Sequence, residues 1–234
     1  MRTLAVLPVK SFGRAKQRLG DAIANRPVLA AAMAGDVLEA LASVRGLDGV
    51  IVVSANGDLE DLIGVGRPAP ASAGLHATTG GPAPAGVEVV DDPLDSGQTP
   101  AAARGIRAAV VRGARRVLLV PGDCPALDPA EVDALLERAE PGVVIVPDRH
   151  GSGTNALLIE PPAALTPAFG PGSFARHAAL AHAAGATVRI GRLPSLELDV
   201  DTPGDLEALR AALDAGRGGA PRTRALLERL VRVA

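Results

Sequence analysis

The sequence predicts an α/β protein, a three-layer α/β/α sandwich with a mostly parallel, mixed sheet. Short apolar runs alternate with longer segments that have helical spacing, which is the order of strands joined by crossover helices. Several of these runs end in polar loops that contain Gly or Pro. With 234 residues and 47% hydrophobic content, the chain is long enough for one substantial core. We expect a single domain over residues 1–215 and a tail helix within residues 216–234.

Strands are predicted where an apolar run is too short for an ordinary helix and is closed by a turn signal. The clearest run covers residues 116–120 and is closed by Pro121-Gly122. Other strands are predicted at residues 3–9, 49–55, 87–90, 143–147 and 156–159, and a last strand within residues 196–201.

The predicted helices lie between these strands, and proline at the start of several of them suits the first helical turn. They cover residues 27–43, 58–63, 101–112, 129–139, 173–184, 204–215 and 222–233. Residues 64–86 are rich in Pro, Ala, Gly and Thr and have no periodicity, so we expect a flexible insertion there.

Composition excludes several classes of protein. The formal charge of −2 offers no basic field for nucleic acid, and Trp and Tyr are absent, so base-stacking side chains are few. The single cysteine excludes an internal disulfide and a cysteine-rich metal site. The first apolar run is too short for a signal peptide core, and no run approaches a membrane span. We expect a cytoplasmic protein without nucleic-acid or membrane partners.

Asp123 follows the strand at 116–120 directly after the Pro-Gly turn. In open α/β sheets ligands bind at the carboxyl ends of the strands, so this carboxylate is placed to hold a cation or a substrate. The alternative is an aspartate that braces the turn or caps the helix starting at Asp128-Pro129.

A basic loop follows the first strand. Four cations occur within nine residues, beside Gly13, at a position suited to a polyphosphate. They are Lys10, Arg14, Lys16 and Arg18. A solvated basic turn is the alternative, because the pattern lacks the full spacing of a Walker-type loop.

A glycine-rich turn at residues 169–174 leads into a helix that opens at Ser173. Such a turn offers backbone N–H groups and the positive end of a helix dipole to an anion. The alternative is that Ser173 is simply the N-cap of its helix.

Asp199 and Asp201 form an acidic pair near the C-terminus. Residues i and i+2 of a strand point the same way, so both carboxylates can face one space, roughly 6.6 Å apart along the backbone. Two carboxylates brought to about 4 Å repel by about 4 kcal/mol at an effective dielectric of 20, and a divalent cation removes that penalty. The alternative is that Asp201 caps the helix at Thr202-Pro203 while Asp199 faces solvent.

Five motifs in order along the chain resemble the nucleotidyltransferase fold, and more closely the guanylyltransferases of coenzyme F-420 biosynthesis. The motifs are Pro8-Val9-Lys10 with Ala15-Lys16-Gln17-Arg18-Leu19, Gly122-Asp123-Cys124-Pro125, Asp148-Arg149 with Gly151-Ser152-Gly153-Thr154-Asn155-Ala156-Leu157, Phe169-Gly170-Pro171-Gly172-Ser173-Phe174-Ala175-Arg176-His177, and Asp199-Val200-Asp201-Thr202-Pro203. Two departures are the single Gly13 in the basic loop and the sequence Gly97-Gln98-Thr99-Pro100 where Gly-x-Asn is usual.

The resemblance implies a reaction in which the phosphate of a small acid attacks the α-phosphorus of GTP and pyrophosphate leaves. It implies phosphoenolpyruvate as the acid, held by Thr154, Gly170 and Ser173. It also implies Mg²⁺ bound by Asp123, Asp199 and Asp201, and a triphosphate contacted by Lys10, Lys16 and Arg18. Lys16 and Asp123 are then the catalytic residues, and a homodimer is expected from the family.

Other substrates and roles stay open at this point. The acid could be 2-phospho-L-lactate or 3-phosphoglycerate, and a non-catalytic nucleotide-binding regulatory protein is the alternative of another class. Three residues near the motifs have simpler roles: His76 as a surface imidazole, Cys124 as a small buried side chain, and His177 as a packed helix residue.

Overall fold

Seven strands and six α-helices form the regular structure of residues 1–12, 25–54 and 86–231, the part of the chain that this computed structural model describes. The strands are β1 (Thr3–Pro8), β2 (Val50–Ser54), β3 (Val87–Asp91), β4 (Arg116–Leu119), β5 (Gly142–Pro147), β6 (Thr154–Glu160) and β7 (Val188–Ile190). The helices are α1 (Arg26–Ala42), α2 (Gln98–Val111), α3 (Pro129–Arg138), α4 (Ser173–Ala183), α5 (Pro203–Asp214) and α6 (Pro221–Val231).

All seven strands belong to one sheet, in the order β3-β2-β1-β4-β6-β5-β7. Every neighbouring pair is parallel except the two pairs that involve β6, which runs against both β4 and β5. The start of β6 therefore lies at the same edge of the sheet as the carboxyl ends of the other strands. The predicted α/β sandwich with a mostly parallel, mixed sheet is confirmed.

Alternate residues of the buried strands point to opposite faces of the sheet. Ala5 and Leu7 of β1 pack in a cluster with α1 and α3, whereas Leu4 and Val6 pack in a second cluster with α2 and α4. Gly105 allows α2 to lie close to β1, because a Cβ atom there would come within 2.2 Å of the Val6 side chain. Helices thus cover both faces of a sheet whose central strands are fully buried.

One prediction about the last part of the sheet is wrong, and one strand was not predicted. Residues 196–201 do not form a strand: they lie in an irregular segment whose N–H groups at Leu196 and Glu197 both bond to the carbonyl oxygen of Leu193. The actual edge strand is β7. Val188 and Arg189 are partly buried and Ile190 is exposed, so β7 lacks the apolar run that marks the inner strands.

Most other predicted elements lie within a few residues of the observed ones. The largest shift is at α2, which begins at Gln98 rather than at residue 101. β6 begins at Thr154 rather than at residue 156, so Thr154 and Asn155 belong to the strand and not to the preceding turn. Three predictions lie outside the described residues. They are the helix at 58–63, the insertion at 64–86 except for its last residue, and the surface position of His76. No described helix combines the length and the apolar character needed to cross a bilayer.

The tail helix α6 packs on α1 through a third apolar cluster that includes Met33, Leu209 and Leu227. A buried carboxylate fixes its start. Asp36 of α1 is 2% exposed and accepts the backbone N–H groups of Arg222 at 3.0 Å and Thr223 at 2.8 Å. The negative charge meets the positive end of the α6 dipole, although burial raises the pKa of Asp36.

Removing this contact is expected to loosen the tail helix. Asp36→Ala leaves two buried N–H groups without their acceptor, so we predict a loss of about 1–3 kcal/mol in the free energy of unfolding by urea. Glu39→Ala is the matched control, since Glu39 lies one turn further along α1 and contacts Arg222 at 3.6 Å on the exposed rim. That variant should lose less than about 1 kcal/mol. Equal losses in the two variants would contradict the role given to Asp36.

Candidate active site

A cleft of about 620 Å³ opens at the edge of the sheet where β4 and β5 end and β6 begins. It brings together every predicted site residue that the structure describes. These are Lys10, Asp123, Thr154, Gly170, Ser173, Asp199 and Asp201. The predicted nucleotide-binding residues Lys16 and Arg18 lie outside the described part of the chain.

Asp123 lies in the turn after β4, and a backbone hydrogen bond ties this turn to the distant acidic segment. The N–H of Val200 donates to the carbonyl oxygen of Asp123 at 3.0 Å. Next to it, buried Cys124 donates from Sγ to the carbonyl of Leu196 at 3.7 Å, in keeping with a small buried side chain. The cap of α3 is Asp128, whose carboxylate accepts the N–H of Ala130 at 2.8 Å. Asp123 is therefore not the cap of that helix.

Asp199 and Asp201 flank Val200, which is fully buried in the third apolar cluster, and both acids line the cleft. Thr202 caps α5 in a reciprocal capping box with Asp205, so Asp201 is not the cap. Asp199 is half-buried and accepts a hydrogen bond from the side-chain amide of Asn155 at 3.1 Å. The alternative role given to this acidic pair, a cap beside a solvent-facing acid, is thus wrong.

The three acids influence one another electrostatically. Burial raises the pKa of Asp199 above its ordinary value of 3.8, and the negative charges of Asp123 and Asp201 raise that pKa further. The amide of Asn155 opposes the shift by donating to the charged form. Residues that are distant in the sequence therefore share one electrostatic environment.

The donors in the cleft fit a hard cation such as Mg²⁺ by their chemistry. Among the described residues, six aspartates and a single cation, Lys10, line the cleft. No three His, Cys, Asp or Glu side chains in that part of the chain are gathered closely enough to ligate one ion. Mg²⁺ usually takes only one or two carboxylates and completes its shell with water and phosphate oxygens. An acidic cleft of this kind matches that pattern better than a closed protein cage.

The turn between β5 and β6 forms one wall of the cleft. The Asp148 carboxylate accepts the backbone N–H groups of His150 at 3.1 Å and Ser152 at 2.9 Å. Gly153 has no space for a side chain, because a Cβ atom would lie 2.7 Å from Asp148 Oδ2. Arg149 anchors the turn: its N–H bonds to the Glu197 carbonyl at 2.8 Å and its guanidinium pairs with Asp205. The turn is thus fixed to the segment that carries the acidic pair.

The glycine-rich turn before α4 also lines the cleft, next to the β5–β6 turn: the N–H of Phe174 donates to the carbonyl oxygen of Ser152 at 3.2 Å. Gly170 and Gly172 have φ angles of 113° and 70°, a region that residues with side chains rarely adopt. Gly172 is the N-cap of α4, and Ser173 is the buried first residue of the helix. The alternative that Ser173 is the N-cap is therefore wrong. The positive end of the helix dipole faces the cleft at this point.

Two buried side chains of the site have no functional role in the sequence analysis, which gave His177 only a packing role. Asn155 donates to Asp199, and His177 lies 3.0 Å from the Thr154 hydroxyl through Nδ1. The sequence holds a signal for His177, because it lies four residues after Ser173 and thus on the same face of the helix. Thr154 and Asn155 are consecutive at the start of β6, where the pairing with β5 shifts register by one residue.

The coupling between the acids predicts a pH dependence of stability in the metal-free protein. Because the folded-state pKa of Asp199 is raised above 3.8, the folded protein binds more protons than the unfolded chain just above that value. The free energy of unfolding attributable to this group therefore falls as the pH rises through the raised pKa. Asp123→Asn removes a neighbouring charge, so we expect a shallower fall.

Urea unfolding at a series of pH values above 3.8, in the presence of a chelator, measures this slope. Asp214→Asn, at the exposed end of α5, controls for the loss of one negative charge elsewhere. A slope that is the same in Asp123→Asn as in the wild type would show that the acids are not coupled.

The fold is that of the nucleotidyltransferases. A nucleotidyl transferase from Methanothermobacter thermautotroptrophicus superposes with a TM-score of 0.56 at 19% sequence identity, over 90% of this chain and 96% of that one. The structure of CMP:2-keto-3-deoxy-manno-octonic acid synthetase complexed with CTP gives a TM-score of 0.56 at 14% identity, over 92% and 100% of the two chains. At these identities the likeness concerns the fold alone.

Sequence comparison identifies the family. Residues 85–215 match the family described as Guanylyl transferase CofC like. The phosphoenolpyruvate guanylyltransferase of Conexibacter woesei is 46% identical over an alignment of 237 positions, which covers 99% of this chain and 98% of the relative. That of Sphaerobacter thermophilus is 37% identical and covers 92% and 96%. The chain belongs to the CofC-like guanylyl transferase family, and the resemblance stated from the motifs is confirmed.

Proposed function

We propose that the protein transfers the guanylyl group of GTP to phosphoenolpyruvate, with Mg²⁺ as cofactor, in coenzyme F-420 biosynthesis. In the reaction a phosphate oxygen of the acid attacks the α-phosphorus of GTP, the bond to the β-phosphate oxygen breaks, and pyrophosphate leaves. Family membership and the name of the relatives support this activity. The observation that carries it is the single cleft in which an acidic cluster faces a glycine-rich turn at a helix start.

The acid binds at the glycine-rich wall. Thr154 and Ser173 provide hydroxyl groups and Gly170 provides backbone in a conformation that only glycine adopts easily, all lining the cleft. Such donors, near the positive end of the α4 dipole, suit the phosphate and carboxylate oxygens of a small phospho-acid. The glycine-rich wall thus holds the phosphate nucleophile in the same cleft as the acidic cluster.

The nucleotide binds at the other side of the cleft. The acidic cluster of Asp123, Asp199 and Asp201 would hold Mg²⁺, with one or two of the carboxylates as direct ligands and water and phosphate oxygens completing the shell. The ion would neutralise charge on the α-phosphate and on the leaving group. Lys10 lines the cleft, and Lys16 and Arg18, which follow it in the sequence, would contact the triphosphate. No general base is required, because the attacking phosphate is already an anion. Catalysis therefore depends on orientation and charge neutralisation.

A direct assay tests the reaction. Purified protein is incubated with GTP and Mg²⁺, together with phosphoenolpyruvate, 2-phospho-L-lactate or 3-phosphoglycerate, and pyrophosphate release is measured. We expect release that depends on phosphoenolpyruvate and on the metal. Stimulation by another acid alone would reassign the substrate, and tight GTP binding without release would favour the regulatory protein. Asp123→Asn and Asp201→Asn should abolish release while the far-UV circular dichroism stays unchanged.

Ser173 provides a test of where the acid binds. Ser173→Ala removes one hydroxyl from the glycine-rich wall but leaves the acidic cluster intact, so we expect the KM for the acid to rise about tenfold, the scale of one hydrogen bond to a charged group. The KM for GTP should change by less than about twofold. Steady-state kinetics with each substrate varied in turn measures both values. A larger rise in the KM for GTP than in the KM for the acid would assign Ser173 to the nucleotide-binding side of the cleft.

A further inference from the structure

The buried imidazole of His177 has both ring nitrogens engaged. The backbone N–H of Ala168 lies 2.8 Å from Nε2, and the hydroxyl oxygen of Thr154 lies 3.0 Å from Nδ1. A backbone N–H can only donate, so Nε2 must accept and cannot carry a proton. The hydrogen of the neutral ring is therefore on Nδ1, and the Nδ1–H group donates to Thr154.

This arrangement fixes the direction of the Thr154 hydroxyl. Because Oγ1 of Thr154 accepts the Nδ1–H of His177, its own hydrogen is turned away from the ring and is available to an acceptor. Thr154 lines the cleft, so that acceptor can be a ligand oxygen. A phosphate or carboxylate oxygen can accept this hydroxyl hydrogen.

The ring stays neutral under ordinary conditions. Burial lowers the pKa of His177 to about 4, and the adjacent positive charge of Arg176 acts in the same direction. His177 is 0% exposed, and the Phe169 ring packs edge-on against it at a centroid distance of 5.1 Å. The hydrogen-bond directions deduced for the neutral ring therefore hold at neutral pH.

His177 also holds the segment that leads into the glycine-rich turn. Ala168, whose N–H donates to Nε2, lies two residues before Gly170. The same side chain thus bonds both Thr154 and the backbone just before the glycine-rich turn.

We propose that His177 is a positioning residue for the acid substrate, acting as an Nδ1-protonated imidazole that makes Thr154 a hydrogen-bond donor. The identity of that substrate rests on the proposed function, but the hydrogen-bond arrangement does not. The experiment accordingly has one part that needs no turnover and one part that does.

The first part determines the tautomer. Long-range ¹H–¹⁵N correlation spectra of the ¹⁵N-labelled protein at neutral pH distinguish the two neutral tautomers from the charged ring, and His177→Phe identifies the signal by its loss. We expect a neutral ring with hydrogen on Nδ1. A ring protonated on Nε2, or a charged ring, would overturn the proposal whatever the protein's activity.

The second part is a double-mutant cycle with His177→Phe, Thr154→Val and the combined variant, which keep the approximate shapes of both side chains. We expect each single change to raise the KM for phosphoenolpyruvate about tenfold and that for GTP less than about twofold. If His177 acts through Thr154, the combined variant is no worse than Thr154→Val alone. Independent effects that multiply would show a merely structural histidine and overturn the proposal.

Further variants keep the cycle interpretable. His182→Phe makes the same change at an exposed position of the same helix and should leave both KM values unchanged. His177→Asn keeps a donor near the position of Nδ1 and should bind the acid better than His177→Phe. His177→Gln, which keeps an acceptor near the position of Nε2 but has no donor near Nδ1, replaces His177→Phe in the cycle if thermal melting shows that the Phe variant is unfolded. Equal losses in the Asn and Phe variants would contradict the role of the Nδ1–H donor.

Discussion

The hydrogen bond from the N–H of Val200 to the carbonyl oxygen of Asp123 is the constraint on which the cleft depends. It joins the turn after β4 to an irregular segment that lies far away in the sequence and belongs to no strand. Val200 itself is fully buried, so Asp199 and Asp201 on either side of it are held beside Asp123 although this segment forms no β-ladder with a strand. The aspartates are therefore fixed by backbone contacts and apolar packing, which do not depend on the charge of the carboxylates.

The direction of β6 explains how the second half of the cleft is built. Because β6 is antiparallel to its neighbours, its first residues lie at the edge where the other strands end. Thr154 and Asn155 are consecutive there, at a register shift in the pairing with β5, and one contacts His177 of α4 while the other contacts Asp199. The same strand start thus orients a residue of each wall, which couples the geometry of the glycine-rich turn to that of the acidic cluster.

The strand and helix order could be predicted from the sequence because the inner strands are continuous apolar runs and the helices have clear starts. The carboxylates could be placed near the sheet edge for the same reason. The reasoning for Asp199 and Asp201 was nevertheless wrong in its premise, since they share the cleft by flanking a buried Val200 and not by alternation along a strand. Pairings that close only in three dimensions, such as His177 with Thr154 or β7 with β5, leave no local pattern to detect.

The raised pKa of Asp199 shows that the folded protein tolerates an unfavourable concentration of negative charge. Such a cluster is more costly than neutral side chains of similar size, and the amide of Asn155 and the backbone N–H of Asp199 offset only part of that cost at Asp199. A cation that binds the cluster competes with protons for the same oxygens, so it both stabilises the fold and gains affinity from the repulsion that it removes. The electrostatic cost in the free protein is therefore the source of binding energy for the proposed Mg²⁺. It also explains why the acids are held by backbone and packing contacts that persist when no cation is bound.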